Sequence, residues 1–594
     1  MKTIKISKGQ YLKDVMPTIP TNSHIDKTLP GLGATTLELS TLRNSILMEP
    51  NVPVIKGKKR KGLLSVYEGV TIDDVIDYLS SNIQYKKIMV TPESFFKIKE
   101  AAEFLNINLY EDYMFLFDES DRIIQDVGFR KKISFPMDDF FRFKNKAFIS
   151  ATALEPSDPR FKKHGFEHPV IQPDFDYSKD IDLITTNNVY LSLKNAIANN
   201  PSDSYCVFFN STNMIGACVK KMETQAESQI YCSRESVYQL RLSKFPHVND
   251  HLQGFKKYNF FTSRFNSAVD IMMDTKPVVI ILTDVHSANH SMVHPKTESV
   301  QIVGRFRNGA SKIIHITNLD AELLPKSEEE IKGWLSGCEQ TYNNLRSLHK
   351  AATNQGAKDL LSDCLTLIPY ANFINADGSK NYFMEDNTFL EESIKRSYLN
   401  EKAFVDSYKF AHFNPTHFME DYPLSDLKDN KLTSGISMSS VVEAVIESLT
   451  KIDDPASPYT FDNRQTVSNE LEKSFPEIVE AFKLLGPDEL RKNGYSKTQI
   501  KKAVKARKME NQKSNYGFLV SLQNSFEDGI DYPTHELRRL LVLAIAKNGL
   551  TLRPHITLLQ DYFEMSNRKT LGFDKMDKEI KGYRIIQCKF NRPE

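Results

Sequence analysis

Tyr113-Met114-Phe115-Leu116-Phe117-Asp118-Glu119-Ser120-Asp121 is the stretch that decides how this chain is read. An apolar, aromatic run of strand length stops on two adjacent carboxylates, which predicts a buried strand over Tyr113 to Phe117. Open α/β sheets hold their ligands at the carboxyl ends of their strands. Asp118 and Glu119 are therefore candidate site residues, and a solvated acidic loop is the alternative reading.

The same pattern recurs on both sides of that stretch. Upstream, Ser45 to Met48 and Lys87 to Val90 read as strands, the second running into Thr91-Pro92-Glu93-Ser94; downstream, Ala147 to Ser150 reads as another. Short apolar runs alternating with helical stretches predict a parallel sheet with helices on both faces, over residues 1–176. Pro173 to Lys179 is polar and reads as a linker. The alternation then resumes with helix Ser192 to Asn199, strands Tyr205 to Phe209, Asn259 to Thr262 and Val278 to Leu282, helix Ser299 to Phe306 and strand Lys312 to Thr317. A second doubly wound domain over 177–325 follows.

Beyond Leu324-Pro325 the periodicity is helical, and residues 326–470 are expected to form a helical accessory region. Residues 471–594 are expected to form a basic C-terminal domain. Within it, Ser496-Lys497-Thr498-Gln499 has capping-box spacing and starts a helix that carries Lys501, Lys502, Lys505, Arg507 and Lys508. Helices after Pro533 and Pro554 and an alternating strand Tyr583 to Phe590 fit a winged helix, with an irregular helical cap as the other reading.

The chain has 77 basic and 76 acidic residues, so any footprint for nucleic acid must be local. Its N-terminal residues, Met1 to Ser7, lack the apolar core of a signal peptide. Its strongest apolar stretches are strand-sized, far short of a membrane span. A cytoplasmic protein without a membrane partner is expected. The six cysteines show no CxxC spacing, so reduced thiols rather than a zinc site or disulfide framework are expected.

Three further motifs flank the acidic pair in order. Pro30-Gly31-Leu32-Gly33-Ala34-Thr35-Thr36 can turn backbone N–H groups toward a phosphate, and Thr35 stands where a hydroxyl would meet Mg²⁺; a plain strand-to-helix turn is the other reading of this loop. Ser150-Ala151-Thr152 is a small turn after a strand. Gln301-Ile302-Val303-Gly304-Arg305-Phe306-Arg307 carries two arginines on a short helix.

Taken together, these motifs resemble a superfamily two helicase of the DExD family, over residues 20–320. The resemblance implies tandem RecA-like domains, binding of ATP and Mg²⁺, and DNA, single- or double-stranded, as partner, possible replication proteins being further partners. It implies that Asp118 and Thr35 hold the metal and that Glu119 polarises water. It also implies that Gln301, Arg305 and Arg307 complete the catalytic set, the arginines as fingers on the γ-phosphate. Ser150 to Thr152 resembles the motif that links hydrolysis to strand movement. Thr262-Ser263 with Ala268-Val269-Asp270 resembles a further motif, with Ala268 in place of the usual glycine.

The family's loop carries a lysine where this chain has Ala34. Lys27, upstream, could fold back across the loop, much as some phage DNA-packaging ATPases place theirs at its front; another basic residue, or a weakly hydrolysing site, are the alternatives. The spacing of the last motif is similar to that of viral origin-binding helicases, which points to a phage or mobile-element replication protein in the bacterial host cytoplasm. Nucleic acid is expected at Thr91, at Asn210 and Ser211, at Thr262, and at Lys501 and Lys505. The basic run Lys56 to Lys61 is either part of that footprint or a solvated loop. A non-hydrolysing DNA-binding or scaffold protein with the same fold is the alternative function.

Overall fold

The computed structural model describes residues 2–58, 60–267, 270–375, 377–426 and 437–590. The chain forms two compact units, residues 1–421 and 422–594. Ala268 and Val269 of the motif after Thr262, and Lys59 of the basic run, lie outside the described residues.

The first unit contains two eight-stranded parallel sheets, the tandem RecA-like architecture. The first sheet is built from β1 (Thr3–Ile6), β2 (Ser23–Asp26), β3 (Ser45–Met48), β4 (Leu63–Val66), β5 (Lys87–Val90), β6 (Met114–Asp118), β7 (Asn145–Ser150) and β8 (Val170–Pro173). Its order is β1-β8-β2-β7-β6-β3-β5-β4. Every residue of β6 is buried, which is why Met114 to Phe117 are continuously apolar rather than alternating. β7 lies between β2 and β6, so the loop that follows β2 and the carboxylates that end β6 stand two strand spacings apart, roughly 9–10 Å. Long side chains reach across that gap.

The second sheet comprises β9 (Lys179–Thr186), β10 (Tyr205–Phe208), β11 (Ser228–Tyr231), β12 (Val248–Asn249), β13 (Tyr258–Phe261), β14 (Val278–Thr283), β15 (Lys312–Thr317) and β16 (Phe413–Glu420), in the order β12-β11-β13-β10-β14-β15-β9-β16. β16 is a strand inside 326–470, the stretch expected to form a helical accessory region. Phe413 to Glu420 pairs residue by residue with β9 and closes the sheet's edge. Its one-sided burial gave no continuous apolar run to read.

One apolar cluster passes from Leu37, Leu47 and Ile149 of the first domain into Phe208, Phe261, Ile302 and Phe306 of the second. Helices between β15 and β16 tie the domains further. Phe383 and Leu390 of the helix Tyr382–Ser397 join the core around Phe115, while Tyr398, Phe404 and Tyr408 pack against Ile181 and Leu183 of β9.

The second unit is mostly helical and ends in a small antiparallel sheet. β17 (Asp531–Pro533), β18 (Phe563–Met565) and β19 (Lys569–Phe573) all pair with β20 (Glu579–Cys588). Helix Thr534–Lys547 and the single turn Ile556–Leu559 pack with helix Tyr516–Ser525 over this sheet. The helix expected after Pro554 is thus one turn long.

Candidate active site

Gly31 and Gly33 shape the loop after β2. Both have left-handed backbone, φ +83° and +81°, which only glycine adopts without strain. The loop is held from behind by Leu32, whose carbonyl accepts the Leu12 amide at 3.0 Å. It is pressed from the front by the second domain: a Cβ on Gly304 would lie 2.4 Å from Pro30 Cγ, and one on Gly31 would lie 1.9 Å from Arg307 Nη1. These two glycines are where the domains approach most tightly at the site.

The loop, the end of β6 and the Gln301 to Arg307 segment enclose a cleft of about 1100 Å³. Lys27, Gly31, Gly33, Ala34, Thr35, Thr36, Asp118, Glu119, Arg305 and Arg307 all line it. The structure therefore gathers residues separated by most of the first unit into one place.

Asp118 is the hub. It accepts Thr35 Oγ1 at 2.6 Å and Lys27 Nζ at 3.1 Å, all three groups being buried. Burial acts to raise its pKa, but Lys27, Lys58 and the Thr35 hydroxyl outweigh it and hold Asp118 below the usual carboxylate range. Glu119, in left-handed backbone at φ +48°, turns toward the second domain. Gln301 Nε2 donates to its Oε2 at 2.9 Å, and Arg305 Nη2 stands 3.8 Å from its Oε1. Arg305 is itself fixed by Gln301, donating to the side-chain carbonyl at 2.6 Å. Arg307 instead pairs with Asp270 at the cleft edge.

Asp121 has a different role from its neighbours. It faces away from the loop and accepts Ser150 Oγ at 2.6 Å and Thr152 Oγ1 at 2.8 Å. Burial, then the Glu119 charge, raise its pKa to about 6. Gln301 Nε2 also reaches Thr152 Oγ1 at 3.1 Å, so the acidic stretch, the Ser-Ala-Thr turn and the second domain share one hydrogen-bonded chain.

Two further residues belong to the cleft: Lys58, read in the sequence only as part of the basic run Lys56 to Lys61, and Glu49, which the sequence reading did not single out. Lys58 donates to Thr35 Oγ1 at 2.6 Å, and Glu49 at the end of β3 lies within 3.8 Å of it. Glu49 is buried, and burial raises its pKa to about 8. Its place after a predicted strand beside β6 was the available signal. Across the domain boundary, Glu298 accepts Asn266 Nδ2 at 3.2 Å, near the buried Arg122–Asp126 pair.

The expected nucleic-acid residues fall into separate places. Asn210, Ser211 and Thr262 sit at the carboxyl ends of adjacent β10 and β13, with Asn210 Oδ1 accepting the Ser263 amide. Ser211 caps helix Thr212–Lys221 through the Met214 amide, and Thr262 Oγ1 donates to the Tyr231 carbonyl. Thr91 follows β5 in the first sheet and is buried. Lys501 and Lys505 belong to the second unit, on helix Lys497–Lys513. Much of that helix's charge is met locally: Lys497 and Lys501 pair with Glu477, Lys508 with Glu480 and Arg507 with Glu489. Lys502 and Lys505 have no ion pair among the described residues.

No family model matches the chain, and no curated protein matches it. Among solved structures, it is similar to S. cerevisiae Dbp5 bound to RNA and ADP BeF3, at 14% identity over 50% of this chain and 79% of that one, with a TM-score of 0.36. It is similar to the DEAD-box helicase Mss116 bound to ssRNA and UDP-BeF, at 11% identity over 85% and 99%, TM-score 0.39. It is also similar to Mycobacterium smegmatis helicase Lhr bound to ssDNA and AMP-PNP, at 11% identity over 54% and 46%, TM-score 0.33. All three TM-scores are below 0.5, and these likenesses lend no weight to the assignment of any residue.

Proposed function

We propose that this protein is a nucleic-acid-dependent ATPase of the superfamily two helicase class, working as a DNA helicase or translocase in phage or mobile-element replication or remodelling. The observation that carries the proposal is the contact of Glu119 with Gln301 and Arg305. A carboxylate at the end of a strand in one domain is clasped by an amide and a guanidinium from the other, beside a glycine loop pressed shut by Gly304 and Arg307. Such a site is complete only when both domains are closed, which is what couples hydrolysis to domain movement.

Thr35 and Asp118 fit Mg²⁺: two oxygen donors 2.6 Å apart in a cleft, with the Lys58 ammonium already attracted to the same hydroxyl. When bound, the ion would neutralise phosphate charge. Lys27, between Asp118 and Glu119, takes the place of the loop lysine that Ala34 lacks. Glu119 orients the attacking water, and Arg305 and Arg307 meet charge developing on the phosphate. Thr91, Asn210, Ser211 and Thr262 contribute hydroxyl and amide groups to a strand crossing both domains, with Lys501 and Lys505 as a separate basic contact. Among the described residues, no helix is long and apolar enough to cross a membrane; action in the host cytoplasm with replication proteins belongs to the same proposal.

The test is phosphate release by the full chain, with and without single-stranded DNA or RNA. Glu119→Gln should keep nucleotide binding and abolish turnover. Equal turnover in that variant removes Glu119 from catalysis. A second reading, a non-hydrolysing scaffold, is favoured by Ala34 alone; it takes over if the parent protein binds no nucleotide at millimolar concentration with Mg²⁺ and DNA present.

A further inference from the structure

Four cations of the cleft have fixed duties or positions. Lys27 is buried between Asp118 and Glu119, Arg305 is bound to Gln301, Arg307 to Asp270, and Lys56 lies over the Tyr67 ring. Lys58 differs. It ends the helix Val52–Gly57, its side chain is 37% exposed, and it donates to a neutral hydroxyl, Thr35 Oγ1. Its one ion-pair partner among the described residues, Glu49, stands at 3.8 Å, beyond hydrogen-bond range.

Glu49 is as unusual as its partner. It is 1% exposed, lines the cleft, and its Oε1 accepts no hydrogen bond among the described residues. A buried carboxylate oxygen left without a donor is costly unless a cation stands close. Burial has raised this carboxyl to about 8. The Lys58–Glu49 pair is thus loose on both sides: the Lys58 side chain is partly in solvent and the Glu49 carboxyl is not hydrogen-bonded by it.

We infer that Lys58 is a movable phosphate-binding lysine, resting on Thr35 beside Glu49 and transferring to the polyphosphate when nucleotide enters. It supplies charge from the end of a neighbouring helix that the glycine loop, with Ala34, does not carry. The transfer is downhill because the ammonium exchanges a neutral hydroxyl for an anionic phosphate oxygen, which adds a charge–charge attraction to the hydrogen bond. It also frees Thr35 Oγ1 from the ammonium. Gly57, whose missing Cβ meets nothing within 4 Å, leaves room for the chain to swing just before Lys58.

This inference rests on the nucleotide reading of the cleft, and the test separates the two. Calorimetric titration of the full chain with Mg²⁺-ATP and with AMP would compare the parent with K58A, K58R and E49Q. K58A should raise the Mg²⁺-ATP Kd by about 10- to 100-fold and leave AMP binding unchanged, with K58R recovering part of the loss. Because Lys58 is partly exposed and Glu49, raised to about 8, is protonated near neutral pH, K58A should melt with the parent there. At about pH 9, above the Glu49 pKa of about 8, the carboxyl is ionised and E49Q, which then releases the resting ammonium, should tighten Mg²⁺-ATP a few-fold, an effect in the opposite direction that a merely structural Lys58–Glu49 pair does not produce. Equal Mg²⁺-ATP affinity in K58A and a parent that binds well overturns the role of Lys58 alone, and equal or weaker binding in E49Q at that alkaline pH overturns Glu49 as its resting acceptor. A parent that binds no nucleotide overturns the nucleotide reading and this inference with it.

Discussion

Replacing Lys27 by methionine keeps the apolar stem and removes the charge that sits between Asp118 and Glu119. In the intact site the ammonium lies 3.1 Å from Asp118 Oδ1 and 3.9 Å from Glu119 Oε1, and all three side chains are at most 9% exposed. Water cannot take over from the missing ammonium. Stranding one half of a buried pair costs about 3–5 kcal/mol of stability, and the lower end is expected because Arg305 remains 3.8 Å from Glu119 and Lys58 still reaches Thr35.

Binding should suffer separately. A charge-assisted hydrogen bond to phosphate contributes about 1.5–3 kcal/mol, so the Kd for Mg²⁺-ATP should rise by about 10- to 150-fold. Isothermal titration reads this directly, and urea unfolding reads the stability loss. K27M should also bind Mg²⁺ alone more tightly, since the ammonium and the metal compete for Asp118. Adding Ala34→Lys to K27M should recover part of the nucleotide affinity. A K27M protein that binds Mg²⁺-ATP like the parent would refute the reasoning, because the charge beneath the loop would then have no part in holding phosphate.

Arg305→Ala and Arg307→Ala should each lower nucleic-acid-stimulated turnover by about 10³; losses below tenfold in both would move them to a structural role. Glu49→Gln should flatten the alkaline loss of stability: the folded-state pKa of about 8 lies above the ordinary 4.5, so the folded protein holds a proton the unfolded chain has released, and stability falls as pH rises between them, by about 1.4 kcal/mol per pH unit. Urea midpoints at pH 5.5 and 8 check this, and parallel profiles for parent and variant would contradict it. Lys502→Ala with Lys505→Ala should reduce the log-log salt slope of DNA binding by about 1.8, at about 0.9 for each phosphate no longer neutralised; an unchanged slope points these lysines at protein instead.

β3, β5, β6 and β7 were legible because they are buried on both faces, whereas β2, which leads into the glycine loop, was not, since Ser23, His24 and Asp26 leave it one apolar residue. Lys87–Val90 and Lys312–Thr317 begin and end where the apolar runs do, and Val278–Thr283 differs by one residue. The edge strands β1, β4, β12 and β16 were not legible either, since an edge strand half in solvent carries no continuous apolar signal. The end of the second domain is a similar case: its sheet is completed by residues 413–420, after a run of helices whose apolar faces pack onto cores already formed by β6 and β15. Helix Lys497–Lys513 was correctly read as basic, but not as neutralised, because Glu477, Glu480 and Glu489 come from preceding helices that the fold brings alongside.

By itself the sequence determined the order of the motifs, the parallel α/β character of the first 325 residues, and the chemistry available at each strand end, because local apolar periodicity and the conformational freedom of Gly31 and Gly33 are properties of short segments. Tertiary structure alone decided which charges face one another. Whether Lys27 lies between Asp118 and Glu119, whether Lys58 reaches Thr35, and whether Gln301 clasps Glu119 depend on strand order and on how closely Gly304 lets the second domain approach Pro30. Hydrogen bonds and close ion pairs of this kind join residues far apart in the chain and require contact within about 4 Å, so no local pattern encodes them.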